Sequence, residues 1–498
     1  MKYRISKYKL RQIIINLIVV FLVYILYLLH TSDIYILDIK KITIIGSIIN
    51  VCIVLNFYIK YKNMKSVYFL FQLFSLPFLY GQIFVRYVMN IICNDIFDLS
   101  RIVNISTEVR AVFLIVFSQL FLNLGYIIKR NIEKDKENRK GFYDNKKIFF
   151  IIGFVLIAIS IIPAFINYYE TFVACMKSGY SGKRLITTYG INSIYSKITP
   201  FFYIGLLSLL IGYKNNRVIS MFLLLFGIGF YGSQIIFGNR GIPLLMVICY
   251  IWFYHNYIRK FEIKSILLMF VISIFCISFL NIVRNNRENG FSNWMSKSNE
   301  LLVENLTTHN PIIELCYEVG TTIYPITYTL DYIPNITQYK YGMNYIYSLL
   351  SVVRLNTSSE SNSNFTSKMN IAIEVTNKSG IPFGGSYIQE AYANFGYFSV
   401  IFMLILGIAT AKIDNHLIYS NSCISAILIT YFSTSLLWVI RNTMTTIPRE
   451  VVWYMLPTYI LYKLILNSEK KKGGYKIERK SQSVCYNGNI QNTKRLFE

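Results

Sequence analysis

The sequence predicts an all-α, polytopic membrane protein of about twelve transmembrane helices, with one large extracytoplasmic loop containing short amphipathic helices. Three observations carry this. Hydrophobic residues make up 54% of the 498 positions and charged residues only 15%, where a soluble domain carries about 25% charged. Apolar runs recur along the chain, and a helix needs about 20 mainly apolar residues to cross a bilayer. Lys and Arg outnumber Asp and Glu by 50 to 25 and lie in short clusters between the runs, the placement that orients a membrane protein and not that of a nucleic-acid binder. The composition excludes a disordered chain, a coiled coil and a disulfide scaffold. One soluble globule of this length would split into several polar-surfaced domains.

The first apolar run covers residues 12–29. Its end, Leu28-Leu29-His30-Thr31-Ser32-Asp33, offers no small-x-small site, so the run reads as a membrane helix and not as a cleaved signal peptide. Further runs cover 42–59, 67–84, 111–128, 148–166 and 198–213. The seventh and eighth, 218–236 and 242–254, are separated only by Gly238-Asn239-Arg240-Gly241, and the eighth is short. The ninth covers 265–282, and the last three cover 397–411, 423–440 and 451–465.

With both termini cytoplasmic, the inner segments hold 30 of the 50 Lys and Arg, at roughly three times the density of the outer segments, the direction the positive-inside rule demands. The chain then divides into helices one to nine (1–282), an extracytoplasmic loop (283–396), helices ten to twelve (397–465) and a basic cytoplasmic tail (466–498). Within the loop, Pro311–Leu330 and Tyr341–Val353 are amphipathic but too polar to span, as suits short helices at the membrane surface. Asn356–Asn364 is polar and of low complexity, as in a loop tip or lid. The tail, with Lys470-Lys471-Lys472, suits contact with anionic headgroups.

Eight cysteines include no C-x-x-C pair, so neither a zinc site nor a redox motif is indicated. There is no Walker A sequence, no D-x-D and no metal-ligand spacing, so no nucleotide-driven pump, nucleotide-sugar site or metal cofactor is expected.

The residues that need a reason are outward-facing arginines, because the positive-inside rule selects against them near the membrane. Arg240 lies in Gly-Asn-Arg-Gly at a helix end, Arg284 and Arg287 follow the ninth helix, and Arg441 follows the eleventh. Guanidinium groups at one depth can hold a phosphate or pyrophosphate through bidentate hydrogen bonds. They can equally snorkel to lipid phosphates or pair with Glu288 and Glu450. A second cluster, Gly384-Gly385-Ser386-Tyr387-Ile388-Gln389-Glu390-Ala391-Tyr392-Ala393-Asn394-Phe395-Gly396, leads straight into the tenth helix. If it is helical, Glu390 and Asn394 lie one turn apart on one face. A carboxylate beside an apolar span is costly, which favours a role as general base or sugar ligand. An ion pair with one of the arginines serves as well. The two glycines allow a sharp turn at re-entry. His309 lies in the loop near Glu314 and Glu318; a lone loop histidine is more often bland than catalytic. Tyr339, Tyr341, Tyr345 and Tyr347 are placed to stack on sugar rings or to bury the loop's apolar face.

Taken together, Gly238-Asn239-Arg240-Gly241, the outer segment Ile282-Val283-Arg284, Glu318-x-Gly320, Tyr332-Ile333-Pro334, Tyr341-Gly342-x-x-Tyr345 and the closing run 384–396 resemble the O-antigen polysaccharide polymerase (Wzy) family of bacterial inner-membrane proteins. The motifs cover about residues 230–410, and the remainder matches by its pattern of spans. Some members carry an Arg followed eleven residues later by Gly in their external loops; no outer Arg here has that partner. The resemblance implies an inverting glycosyltransfer on the outer face of the cytoplasmic membrane. A growing glycan on undecaprenyl diphosphate moves to a new lipid-linked repeat unit, making O-antigen, capsule or exopolysaccharide. Arg240 and Arg284 would stabilise the leaving pyrophosphate, and Glu390 would be the base. Arg287, Arg441, Asn394, Tyr392 and His309 would bind substrate. No cofactor is implied. The partners are the undecaprenyl-diphosphate-linked oligosaccharide and the lipid bilayer, with a chain-length regulator protein as a further candidate. A lipid-linked oligosaccharide flippase would carry its charges inside the bundle and have less need of the outer loop. An O-antigen ligase-type transferase usually needs an outer histidine, for which His309 alone would serve. A structural subunit of an export complex is the third alternative.

Overall fold

The computed structural model describes residues 7–32, 38–61, 65–91, 104–130, 146–186, 192–236, 241–262, 264, 310–353, 365–381, 384–419 and 422–471. Among them the protein is helical throughout, with no strand. The elements are α1 (Lys7–Thr31), α2 (Ile39–Tyr61), α3 (Val67–Ile83), α4 (Ile105–Lys129), α5 (Lys146–Ile186), α6 (Asn192–Ile198), α7 (Pro200–Gly212), α8 (Arg217–Ile236) and α9 (Gly241–Phe253), then α10 (Pro311–Val319), α11 (Ile323–Tyr332), α12 (Met343–Leu350), α13 (Ile371–Ser379), α14 (Tyr387–Phe395), α15 (Ser399–Tyr419), α16 (Cys423–Trp438) and α17 (Leu456–Lys471). Short π-helical turns extend α3 over Phe84–Val88 and α9 over Tyr254–Ile258.

Nine helical stretches among the described residues are long and apolar enough to cross a membrane, which makes this a multi-pass membrane protein. They coincide with nine of the twelve expected runs. The run at 265–282 lies outside the described residues. The run at 423–440 forms α16, shorter than a full crossing, and the run at 451–465 is helical without meeting the same measure.

Small residues set the close pairing of α4 and α15. A Cβ added at Gly125 of α4 would strike the Leu404 carbonyl of α15, and one at Gly407 of α15 would strike the Leu122 carbonyl of α4. Each helix therefore presents its glycine to the other's backbone, the close approach that small residues permit between membrane helices. The run Gly227-x-Gly229-x-x-Gly232 has the spacing of a dinucleotide fingerprint, but it lies mid-helix in α8 with α7 before it, whereas that fingerprint needs a strand before the glycines. Gly227 instead makes room for the Tyr250 ring of α9.

At the end of the bundle away from the loop helices, three elements meet on one carboxylate. Asp414 of α15 is fully buried. It accepts hydrogen bonds from Ser66 Oγ at 2.5 Å, from the Val67 amide at 2.8 Å and from Tyr126 Oη at 2.9 Å. Arg130, also fully buried, supplies a charge to Asp414 and donates to Asn415 Oδ1 at 3.3 Å. A buried carboxylate needs this density of donors, because an uncompensated one costs several kcal/mol.

Of the loop helices, α12 exposes Met343, Ile346, Leu349 and Leu350, as the amphipathic pattern predicts for a surface helix, whereas α11 does not lie on the surface. Helix α10 exposes Ile312, but α11 is inside: Ile323, Ile326 and Leu330 are buried, and α11 packs against α3, α4 and α14. Two features let so polar a helix be buried. Thr327 Oγ1 and Thr329 Oγ1 donate to the carbonyls of Ile323 and Pro325, at 3.0 and 2.7 Å, so burial leaves neither hydroxyl unbonded. Gly320 lets the loop backbone touch that of α3 at Gln82, and Gln82 Nε2 bonds the Tyr324 hydroxyl. Each fully buried Ile or Leu contributes about 1.5–3 kcal/mol, which outweighs polar groups that are already satisfied. The expected tip at 356–364 and the tail beyond 471 lie outside the described residues.

Candidate functional site

The run from Gly384 to Gly396 folds as two turns around a helix. Gly384 has φ +82°, a left-handed backbone that strongly favours glycine. A Cβ at Gly385 would lie 3.0 Å from Thr443 and 3.2 Å from Ala372, so this turn is packed on both sides. Ser386 then caps α14: its Oγ accepts from the Ile388 amide at 3.3 Å, and Gln389 Oε1 accepts from the Ser386 amide at 3.2 Å. This reciprocal cap is readable in the sequence as Ser-x-x-Gln.

Helix α14 is fastened to three neighbours. The Tyr387 hydroxyl accepts from Gln119 Nε2 of α4 at 2.7 Å. Gln389 Nε2 donates to Thr329 Oγ1 of α11 at 2.9 Å. The Tyr387 amide donates to the Val439 carbonyl, just past the end of α16, at 3.0 Å. Residues Tyr387 to Asn394 are all buried.

Glu390 is fully buried at the centre of this arrangement. Its Oε2 accepts from the Met444 amide at 2.6 Å. Its Oε1 has no hydrogen-bond partner among the described residues. The Tyr345 hydroxyl of α12 is also buried and unbonded among the described residues, and its ring stacks on Phe402 at 5.0 Å and Phe395 at 6.1 Å. Burial pushes the Tyr345 pKa well above the usual phenol range, and the negative charge of Glu390 adds to the shift. A carboxylate with one oxygen fixed by a backbone amide and the other uncommitted can accept a proton from a hydroxyl brought to it.

The expected one-turn pairing of Glu390 with Asn394 is present, but Asn394 is occupied by the protein itself. Its Nδ2 donates to the Glu390 carbonyl at 2.8 Å, and its Oδ1 accepts from the Gly342 amide at 3.0 Å. The Lys340 and Tyr341 amides donate to the Ala393 and Asn394 carbonyls at 2.9 and 3.0 Å. Asn394 thus holds the turn before α12, and Gly342 takes φ +84° there. The Tyr392 hydroxyl donates to the Ile333 carbonyl at 3.3 Å, and its ring meets Tyr397 and Tyr339 edge-on. Of the loop tyrosines, Tyr345 and Tyr339 are packed into the protein, Tyr347 meets Phe365, and Tyr341 is exposed.

Arg441 is half-buried in the turn after α16, with its amide bonded to the Trp438 carbonyl at 3.1 Å. Gly241, next to Arg240, packs against the Trp438 ring. The segment Trp438–Met444 therefore touches both the start of α9 and the start of α14. Arg240, Arg284, Arg287 and His309 lie outside the described residues. Glu450, weighed as a partner for arginine, accepts from the Tyr431 hydroxyl.

Two groups escaped the sequence reading. Arg110, in the first turns of α4, bonds Thr107 Oγ1 at 3.1 Å and exerts its charge on Tyr392. Arg449 donates from Nε to Ser351 Oγ at 2.9 Å. Arg110 was open to the same reasoning that singles out Arg240, since the expected topology puts both beside outer segments. Among the described residues no group of three His, Cys, Asp or Glu is placed to hold a metal ion.

One family model matches the chain, that of the O-antigen polysaccharide polymerase Wzy, over residues 12–472. No curated protein matches, and no solved structure does.

Proposed function

Because the chain belongs to the O-antigen polysaccharide polymerase Wzy family, we propose that it joins lipid-linked repeat units on the outer face of the cytoplasmic membrane, with Glu390 as the base. Membership makes it a glycosyltransferase-type polymerase acting on a lipid-linked oligosaccharide in a membrane. The finer reading is a transfer with inversion. The acceptor hydroxyl of a new repeat unit attacks the anomeric carbon of the growing glycan as its proton passes to Glu390 Oε1. The bond from that carbon to the phosphate oxygen breaks, and undecaprenyl diphosphate leaves with the electron pair. Arg240 and Arg284 offset the charge that develops on the leaving group, with Arg287 and Arg441 beside them; no metal step is needed in this scheme. Tyr392 and His309 contact the sugars. Both termini are cytoplasmic, and the product is O-antigen, capsule or exopolysaccharide.

The observation that carries this reading is the uncommitted Glu390 Oε1 in a carboxylate otherwise held by the Met444 amide. A carboxylate kept for structure alone would be expected to use both oxygens. A glycan-ladder gel from cells lacking the gene, then restored with wild type, Arg240→Ala, Arg284→Ala or Glu390→Gln, tests it. Single repeat units on the outer face in the deletion, long chains with wild type and none with the variants is the expected result. Repeat units held on the inner leaflet would make the protein a flippase and overturn the reading.

A further inference from the structure

Among the described residues, four lysines from separate segments gather at the end of the bundle away from the loop helices. Lys65 precedes the Ser66 cap of α3, Lys146 opens α5, Lys214 lies in the turn between α7 and α8, and Lys260 follows the π-helical turn of α9. Packing brings these segments together. The end of α7 abuts the start of α5: a Cβ at Gly212 would lie 3.1 Å from the Phe150 backbone, and the Tyr213 ring meets that of Phe150 edge-on at 5.4 Å. Helix α7 also packs against the π-helical turn of α9, where Lys65 Nζ stands 5.1 Å from the centre of the Tyr257 ring. Burial lowers the pKa of Lys65 and of Lys214. The charges of Lys214 and Lys260 lower the first further, and that of Lys146 lowers the second. Of the described carboxylates at this end, Asp414 is bonded inside the bundle, Glu469 pairs with Lys147 at 3.5 Å, and Glu262 stands exposed past α9. Like charges gathered in this way repel one another, and an anion set among them removes the repulsion.

We propose that this lysine cluster binds the headgroup of an anionic phospholipid whose phosphate carries no amine, as in phosphatidylglycerol. Charge selects the headgroup. The phosphate of a phosphatidylethanolamine comes with an ammonium, which would add a cation to a place that already holds four. The surroundings select a lipid over a soluble anion. One and two turns beyond Lys146, α5 exposes Phe150 and Phe154; one and two turns beyond Lys214, α8 exposes Val218 and Phe222. Helix α7 packs against both of these helices. A phosphate held by the lysines therefore leaves its acyl chains along apolar strips that already face outward. Basic pockets between membrane helices on the cytoplasmic side hold anionic headgroups in this way. In the orientation proposed above, the cluster faces the cytoplasmic leaflet. Nothing else is borrowed from the polymerase reading, and the binding site stands or falls without it.

The test titrates the delipidated full-length protein in detergent and counts bound lipids by native mass spectrometry. The probes are dioleoyl phosphatidylglycerol, dioleoyl phosphatidylethanolamine and glycerophosphoglycerol, which is the first headgroup without its chains. Phosphatidylglycerol is expected to bind at concentrations where phosphatidylethanolamine does not, and excess glycerophosphoglycerol should fail to displace it. The double variant Lys65→Gln, Lys214→Gln should weaken that binding by about fivefold for each lysine. Lys463→Gln removes a lysine that also lies over a tyrosine ring, but on α17, and should leave binding unchanged. If the double variant elutes from a sizing column as aggregate, Lys146→Gln with Lys260→Gln, both at exposed positions, takes its place with the same expectation. Equal binding of the two phospholipids would overturn the proposal, as would wild-type affinity in the lysine variants or an equal loss in Lys463→Gln. Displacement by glycerophosphoglycerol at concentrations matching the lipid would make this a site for a soluble anion and overturn it too. The readout needs no glycan, so a failed ladder experiment leaves it untouched, and a failure here leaves the polymerase reading untouched.

Discussion

The backbone amide of Met444 donates to Glu390 Oε2 across 2.6 Å, joining the turn after α16 to the middle of α14. The amide holds one carboxylate oxygen and leaves the other uncommitted, and the two oxygens can be tested apart.

Glu390→Gln keeps an oxygen for the Met444 amide, so the variant should unfold at the wild-type temperature yet make no long chains. Glu390→Ala leaves that buried amide unbonded, at a cost of about 1–3 kcal/mol, and should lose stability as well. Thermal unfolding of the purified proteins beside a glycan-ladder gel reads both effects. Long chains from Glu390→Gln would remove Glu390 from the chemistry.

Asp414 gathers three hydrogen bonds beside the buried Arg130. Asp414→Ala leaves the arginine's charge buried without its carboxylate, a loss of about 3–5 kcal/mol. We expect little protein in the membrane fraction and a lower unfolding temperature for what remains. A wild-type unfolding temperature would show that the network contributes nothing net.

Gly125→Val and Gly407→Val each place a side chain against a backbone carbonyl of the facing helix. Overpacking costs about 1–3 kcal/mol where neighbours can move, and a helix backbone moves less readily than a side chain. Both variants should fall below wild type in quantitative blots of membrane fractions, whereas Gly229→Ala, in open space on α8, should not.

Glu450 offers a pH test. Burial raises its pKa, with the Tyr431 hydroxyl partly opposing the shift. A carboxyl that binds its proton more tightly when folded stabilises the fold below its unfolded pKa. That contribution disappears as pH rises through the folded value. Between mildly acid and neutral pH, wild-type unfolding temperature should therefore fall more steeply than that of Glu450→Gln. Parallel profiles would place the ionisation of Glu450 outside the folding balance.

Hydropathy made most spans legible, because a bilayer imposes one length and one polarity on every helix that crosses it. The Glu390–Asn394 pairing was legible for the same reason that any residues four apart share a helix face. What escaped depends on contacts between distant segments. Nothing in the spacing of Met444 announces that its amide meets Glu390. Helix α11 reads as amphipathic and too polar to span, and its burial is seen only once its threonines bond their own backbone and Gly320 touches Gln82. Likewise, the sequence neighbours of Asn394 give no sign that its Oδ1 accepts from the Gly342 amide.

The mutual glycine contact of α4 and α15 also bears on movement. Helices that touch through their backbones cannot slip past one another by a turn without driving a carbonyl into a Cα. That pair is a rigid contact among the described helices. Helix α14, coupled to α4 through Gln119 and Tyr387, is anchored to it. A rearrangement of the outlying helices would then leave this pair in place.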